Sequence, residues 1–339
     1  MSLSRLPPEI LLYILGYLGS KFFAHDLRYL TISRTWYHLA WSILLRDLHF
    51  TTRSLRRFTD NEIVFERSPL HIVTVDLSLV VRDESSQSPP TDDLREASGN
   101  EGGIDTSSTQ LDSSLAKLAA LLLQCLGIQS LRVQARGEGR ALQLGGPAYL
   151  HATPLTGLLS LPHLTSLELD TAGCHLGSPP NSNVHLCRSI NSLLPSLRRL
   201  RCRMEEICET LLERPPSNTA LEEVIVNLSI SQISDTITSY RCPKRCKTVA
   251  RDFSQLKLAM ETKAATLATL LRNPRTLRVI SHELPSLNVY AFDAITGKRM
   301  LLANNVEWDA DGELVDDVVE EDEDDLFDSD SPVTPQIVW

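Results

Sequence analysis

Apolar residues recur at helical spacing near the start of the chain. Pro7 and Pro8 suit the first turn of a helix, where a missing amide donor costs nothing, and Glu9 suits the positive end of the helix dipole. Gly19 and Ser20 are predicted to end this helix. Its buried stripe consists of Ile10, Leu11, Ile14, Leu15 and Leu18.

Two shorter helices are predicted to follow the first. Asp26 can cap a second helix that carries Leu27 and Leu30, and Ser33 can cap a third. The third helix carries Trp36, Tyr37, Leu39, Ala40, Ile43 and Leu44. Three small helices cannot bury this much apolar surface among themselves, so part of it should face a partner.

Further along the chain, short β-like runs alternate with leucine-rich helical runs. The predicted strands share a Leu-x-x-Leu-x-Leu spacing and lie at Leu70 to Val75, Ile128 to Val133, Leu164 to Leu169, Leu197 to Leu200, Leu221 to Val226 and Leu287 to Phe292. The predicted helices lie at Leu111 to Leu126, Val184 to Leu194, Glu205 to Leu212 and Phe253 to Leu271. The alternation predicts a mixed α/β fold.

Two α/β architectures fit this alternation. In a stacked solenoid, each strand and helix unit buries its apolar face only against the next unit. Successive strand starts at 128, 164, 197 and 221 are 36, 33 and 24 residues apart, whereas a regular leucine-rich repeat has a period of roughly 20 to 29 residues. The solenoid is therefore predicted to be irregular, and an ordinary α/β domain remains the alternative.

Charge and composition separate two segments from the rest. Between Asp309 and Asp330 there are 13 acidic and no basic side chains, while the other 30 acidic residues are offset by 33 Lys and Arg. The near-neutral remainder argues against nucleic-acid binding. Residues 83–114, rich in Ser, Asp, Glu and Gly, and the acidic tail 309–339 are predicted to be disordered.

The seven cysteines are an odd number in a chain long enough to fold without disulfides, which favours reduced thiols in the cytoplasm or nucleus. The apolar run Ile10 to Leu18 could belong to a secretory signal, but the adjoining Pro7-Pro8-Glu9 disfavours that alternative. No stretch reaches the roughly 18 to 20 apolar residues of a membrane-spanning helix, so no membrane association is expected.

The N-terminal run resembles a known motif. Leu6, Pro7, Glu9, Ile10, Ile14, Leu15 and Leu18, followed by Asp26, Leu27, Leu30, Ser33, Arg34, Trp36, Tyr37 and Leu39, match the two halves of the F-box. The closing Leu45-x-x-Leu48-His49-Phe50 is similar to fungal members of that family. The segment Gly19 to His25 departs from it, because this link is several residues longer and lacks the usual Pro-x-Lys.

The resemblance implies an adaptor of an SCF ubiquitin ligase that binds a Skp-family protein and, through it, a cullin. The docking residues it implies are Leu6, Pro7, Ile10, Leu11, Ile14, Leu15, Leu18, Leu30, Trp36 and Tyr37. By the same resemblance, the region from about Leu70 to Trp308 would capture an unknown protein substrate. The alternatives are an F-box or repeat scaffold outside any ligase, and N-terminal helices that only cap the solenoid.

These interpretations divide the chain into five regions. They are the F-box at 1–50, a connecting helix and first repeat strand at 51–82, the disordered insertion at 83–114, the irregular leucine-rich-repeat-like α/β region at 115–308 and the acidic tail at 309–339.

Motifs of enzyme chemistry are absent from the sequence. There is no phosphate-binding loop, dinucleotide-binding glycine pattern, nucleophile elbow or H-E-x-x-H helix, so we expect no enzyme, catalytic residue or cofactor. Cys242 and Cys246 could supply two zinc ligands, but no second Cys or His pair follows at a useful distance, so no metal is expected. Ser331-Pro332 and Thr334-Pro335 could be phosphorylated, or could belong to a tail that only solvates the chain.

Overall fold

The structure is a computed structural model, and it describes the chain in separate segments. The described residues are 6–60, 72–81, 106–137, 149–172, 174–177, 184–213, 219–230, 242–246, 253–283, 288–303 and 306–315.

Helices and strands alternate along these segments. The helices are α1 (Pro8–His25), α2 (Arg34–Leu44), α3 (Thr52–Asp60), α4 (Thr106–Leu122), α5 (Ala152–Leu159), α6 (Leu186–Leu193) and α7 (Phe253–Leu270), with 3-10 turns at Leu27–Thr31 and Glu209–Leu212. The first strands are β1 (Asp47–Thr51), β2 (Thr74–Val81), β3 (Ser130–Gly137), β4 (Tyr149–His151), β5 (Ser166–Asp170), β6 (His175–Gly177) and β7 (Arg199–Arg203). The remaining strands are β8 (Glu206–Ile207), β9 (Glu223–Asn227), β10 (Lys244–Arg245), β11 (Thr276–His282), β12 (Val289–Asp293), β13 (Lys298–Leu302) and β14 (Glu313–Val315).

The N-terminal helices begin where the sequence predicts. The Asp26 carboxylate accepts a hydrogen bond from the Arg28 amide at 3.0 Å, and the Ser33 hydroxyl accepts one from the Trp36 amide at 3.1 Å. Gly19, at φ 76° and ψ 169°, interrupts α1 where the helix was predicted to end. The helix does not stop there, because the chain resumes a helical path that buries Phe23.

One large sheet organises the rest of the described chain. Its strand order is β1-β2-β3-β5-β7-β9-β11-β12-β13-β14. Each strand of this sheet therefore pairs with the strand of the sheet that precedes it in the chain. The strands from β1 to β11 are parallel to their neighbours, and β12, β13 and β14 complete the edge in antiparallel pairs. Two small parallel sheets, β4 with β6 and β8 with β10, lie outside it.

The parallel strands share one register, which aligns their apolar residues in rows. One row runs through Leu48, Val75, Leu131, Leu167, Leu200, Val224 and Leu277, each paired with the next. All of these side chains are buried, in a single core with Leu55 of α3, Leu118 of α4, Leu155 of α5, Ile190 of α6 and Met260 of α7. The helices therefore pack on one face of the sheet.

The opposite face of the sheet is largely polar and carries ion pairs between neighbouring strands. Arg132 pairs with Glu168 at 2.8 Å, Arg203 with Asp170 at 2.6 Å and Arg201 with Glu223 at 2.6 Å. Near β12 and β13 this face is apolar instead of polar. A small buried apolar cluster there consists of Ile225, Ile280, Ala291, Met300 and Leu302.

The mixed α/β class is confirmed, and most predicted elements lie close to their expected positions. The prediction of a helix over Glu205 to Leu212 is wrong in its first half, where β8 pairs with β10 and only Glu209–Leu212 forms a helical turn. The strand predicted at Leu287 to Phe292 exists as β12, but it is antiparallel to β11. The sequence analysis did not identify β11 itself.

Two boundaries of predicted disorder need correction. Helix α4 begins at Thr106, and Leu111 and Leu115 on it are buried, so the end of the 83–114 interval is helical. The start of the acidic tail is also ordered, because Asp309 pairs with Arg201 at 2.7 Å and Asp311 with Arg278 at 3.0 Å. Residues 83–105 and 316–339 lie outside the described residues.

We predict that truncation of a residue in the apolar row destabilises the chain more than truncation of an exposed leucine. Leu131 lies in the middle of the row and is fully buried, so Leu131→Ala should lower the free energy of unfolding by about 2 to 5 kcal/mol. Leu126→Ala is the control, because Leu126 is 74% exposed and its loss should change stability by at most about 0.5 kcal/mol. Denaturant titration would measure both, and equal losses would contradict the register described here.

Candidate functional site

The N-terminal helices have a small apolar core of their own. Leu11, Leu15, Phe23, Leu30, Trp36 and Ala40 form it, and Trp41 at its border also packs against the main core. The Trp36 indole Nε1 donates a 2.6 Å hydrogen bond to the Tyr29 carbonyl, which ties α2 to the preceding 3-10 turn. The Ser20 hydroxyl donates to the Asp47 carboxylate at 3.2 Å and connects α1 to β1.

This core divides the predicted docking residues into three groups. Leu11, Leu15, Leu30 and Trp36 are buried in it, so in this conformation they hold the helices together and are not accessible to a partner. Leu6 and Ile14 are half-buried. Pro7, Ile10, Leu18 and Tyr37 are exposed and remain candidates for partner contact.

More apolar surface is exposed here than the sequence analysis assigned to docking. Of the 18 exposed large hydrophobic residues in the described chain, ten lie between residues 10 and 37. We call these ten the docking surface: Ile10, Leu12, Tyr13, Tyr17, Leu18, Phe22, Leu27, Tyr29, Ile32 and Tyr37. Tyr13 and Tyr17 are 77% and 90% exposed. They lie on the same side of α1 as Ile10, because the three residues follow helical spacing.

Aromatic stacking and one capping pair shape the rest of this surface. The rings of Phe22 and Tyr29 stack with centroids 4.8 Å apart, and Tyr37 stacks on Trp41 at 5.7 Å. Hydrogen bonds from Arg28 lower the pKa of the Asp26 carboxyl, so the cap of the 3-10 turn stays ionised at neutral pH. The docking surface is thus built of rigid rings and aliphatic side chains with a fixed charge pair at its border.

A signal for the missed residues was present in the sequence. Residues 10–18 are apolar on nearly every side of a helix, and such a helix is expected to be covered all round. The two neighbouring helices cover only one side. The predicted stripe and the docking residues implied by the resemblance both include Leu11 and Leu15 and leave out Tyr13 and Tyr17.

Outside this surface, the structure brings together a second group of functional side chains. Cys246, considered in the sequence with Cys242, lies instead beside His185, Cys187 and Cys208, while the Cys242 thiol is 3.6 Å from His282 Nε2. Hydrogen bonds from the Cys187 and Cys246 thiols lower the pKa of Cys208, and the contacts of Cys187 with Cys208 and Cys246 raise the pKa of Cys187. The sequence spacing of these four residues matches no familiar metal-binding motif, so only the fold reveals them.

Comparison with family models and with curated proteins found no match to this chain. Among the described helices, none is both long and apolar enough to cross a membrane.

The break at Gly19 yields a prediction with a matched control on the same helix. A Cβ at Gly19 or at Gly16 would meet no atom within 4 Å, but only Gly19 has a positive φ. Gly19→Ala should therefore destabilise the chain by about 1 to 3 kcal/mol, because this backbone region is almost closed to other residues. Gly16→Ala should raise the free energy of unfolding by about 0.5 to 1 kcal/mol, because alanine has a higher helix propensity than glycine. Thermal unfolding would measure Tm for both variants. Similar shifts in Tm would contradict the break in α1 at Gly19.

Proposed function

We propose that the chain is an F-box adaptor, whose N-terminal helices bind a Skp-family protein and through it a cullin, while the rest of the chain presents a protein substrate. The observation that carries this proposal is the concentration of exposed large apolar residues on the N-terminal helices. An adaptor of this kind acts by proximity, because the ubiquitin-conjugating enzyme supplies the chemistry. No catalytic residue of this chain is needed.

The docking surface has the properties of a helix-mediated interface. Soluble monomers rarely expose a large apolar patch unless it contacts a partner. Tyrosine, which occurs four times among the ten residues, is enriched at interaction hot spots. Because its rings and aliphatic side chains surround short helices, the surface suits a groove formed by helices of another protein.

We further propose that the sheet and its helices form an irregular leucine-rich-repeat-like solenoid. Strand order that follows chain order supports it, since each unit then contacts only its neighbours. Helices on a single face also support it, because doubly wound α/β sheets carry helices on both faces. Residues 74, 130, 166, 199, 223 and 276 occupy equivalent positions, at intervals of 24 to 56 residues, so the repeat length varies widely.

The polar face of this sheet is our candidate for substrate contact. The described helices leave it uncovered, and Arg132 and Arg199 on it keep about half of their side-chain surface exposed. Their ion pairs with Glu168 and Glu223 lie partly in solvent, and surface pairs contribute only about 0 to 1 kcal/mol to stability. These charges are thus available to a partner at little cost to the fold.

The adaptor proposal predicts that docking depends on exposed residues. The triple change Ile10→Ala, Leu18→Ala and Tyr37→Ala should weaken binding of a Skp-family protein at least about tenfold, because one hot spot contributes about 2 kcal/mol or more. The circular dichroism spectrum should stay the same, because all three side chains are exposed. Affinity would be measured with the purified full-length chain.

The matched control replaces three exposed apolar residues elsewhere, with Leu123→Ala, Leu126→Ala and Leu258→Ala. This control should bind the Skp-family protein as the unchanged chain does. Leu15→Ala should lose binding together with helical structure, because Leu15 is fully buried in the N-terminal core. If the unchanged chain does not bind the adaptor, or if the docking triple binds it normally, the proposal fails.

A second prediction concerns the substrate face. Arg132→Glu with Arg199→Glu should remove substrates that co-purify with the full-length chain and leave the Skp-family protein bound, because the two surfaces belong to different parts of the fold. Quantitative mass spectrometry of the captured proteins would measure both. A substrate of a ligase should also accumulate when the gene is deleted, whereas one that keeps its normal half-life would favour a scaffold outside any ligase.

A further inference from the structure

Four side chains that can bind a metal converge on the helical side of the sheet. His185 precedes α6, Cys187 lies in its first turn, Cys208 precedes the 3-10 turn Glu209–Leu212, and Cys246 follows β10. One nitrogen and three sulfur atoms from these residues all lie within 4.8 Å of one another. Cys187 and Cys208 are buried and the other two are half-buried.

The separations between these atoms fit a tetrahedral zinc centre. Zinc binds thiolate sulfur at about 2.3 Å and imidazole nitrogen at about 2.0 to 2.1 Å, so tetrahedral angles place two sulfurs about 3.8 Å apart and sulfur about 3.5 Å from nitrogen. The Cys187 and Cys246 sulfurs are 3.7 Å apart, and Cys208 Sγ is 3.4 Å from His185 Nε2. A disulfide would need its sulfurs about 2.05 Å apart.

We propose that His185, Cys187, Cys208 and Cys246 form a structural zinc site. Three thiolates and one imidazole are a common ligand set of closed zinc sites, in which no position is left for a substrate. Soft thiolate ligands favour zinc over magnesium, calcium or manganese. The site is independent of the docking surface and assigns no catalytic role to the chain.

The zinc would join parts of the chain that otherwise share few contacts. The segment 242–246 is attached through the two-residue pairing of β10 with β8 and through ion pairs of Lys244 with Glu205 and Arg245 with Glu209. The pair of Arg245 with Glu209 lies partly in solvent and contributes little by itself, whereas the Glu205 side chain that pairs with Lys244 is buried. This segment lies between β9 and α7 in the chain. A metal bridge from Cys246 to α6 and to the 3-10 turn would hold it against the core.

The local charges are compatible with such a centre. A zinc ion with three thiolates and a neutral imidazole has a net charge of −1. Arg245 precedes Cys246 in the chain, and its guanidinium is paired with the Glu209 carboxylate. Arg245 and Glu209 therefore form a neutral pair beside the centre.

The test uses the full-length chain, purified with a reductant, stripped with a chelator and then given zinc or cobalt. We expect one zinc per chain by elemental analysis, released by a thiol-blocking mercurial. Cobalt should give the intense visible absorption of a tetrahedral ion and a sulfur-to-cobalt charge-transfer band. Removal of zinc should lower Tm, because the metal binds the folded chain.

Single variants identify the ligands. Cys187→Ser and Cys208→Ser should each reduce bound zinc from one per chain to below about 0.1 under chelator competition, since the loss of a thiolate breaks a four-ligand site. Cys174→Ser is the matched control, because Cys174 is equally buried but lies outside the cluster. It should keep one zinc and the cobalt spectrum.

Three results from the chain without substitutions would overturn the proposal. They are an unchanged chain that binds no zinc, a cobalt spectrum without the charge-transfer band, and a Cys187–Cys246 disulfide in protein kept under reductant. Equal zinc loss in Cys174→Ser would also overturn it. If a ligand variant fails to fold, the cobalt spectrum and chelator response of the unchanged chain decide alone.

Discussion

The alignment of apolar side chains across the parallel strands is the constraint on which the rest of the fold depends. Seven strands contribute one residue each to a row from Leu48 to Leu277, and every second residue points to the same side. A shift of one residue would move each of these side chains to the polar face. The common register therefore holds the helices on one side and decides which side stays uncovered.

This one-sided arrangement leaves one face of the sheet uncovered by the described helices. One face of the sheet forms the core together with the helices, and the opposite face carries ion pairs. A short segment around Trp308 lies against part of this opposite face. Trp308 lies with its ring 5.0 Å from the Arg203 guanidinium carbon, and Asp309 follows with its contact to Arg201. The N-terminal helices precede β1 at one edge of the sheet, and ten large apolar side chains between residues 10 and 37 remain exposed there. The polar face and the exposed N-terminal surface lie in different parts of the chain.

Much of this was determined by the sequence alone. Local hydrogen bonds place the caps at Asp26 and Ser33, and the Leu-x-x-Leu-x-Leu spacing identifies strands such as β3, β5 and β9, because alternation and capping depend only on neighbours along the chain. The composition of the first forty positions also shows more apolar side chains than three small helices can bury among themselves.

Tertiary structure decided which residues are core and which are surface. Leu15 and Tyr17 are both apolar members of α1, but the packing of α2 buries the first and leaves the second exposed. The same holds for β11, whose strand character depends on pairing with β9, and for Asp309 and Asp311, whose partners lie on strands more than 30 residues away in the chain. The cluster of His185, Cys187, Cys208 and Cys246 is the clearest case, because its members lie beside three different elements: α6, the 3-10 turn Glu209–Leu212 and β10. Long-range contacts of this kind depend on chain topology, and local spacing does not encode them.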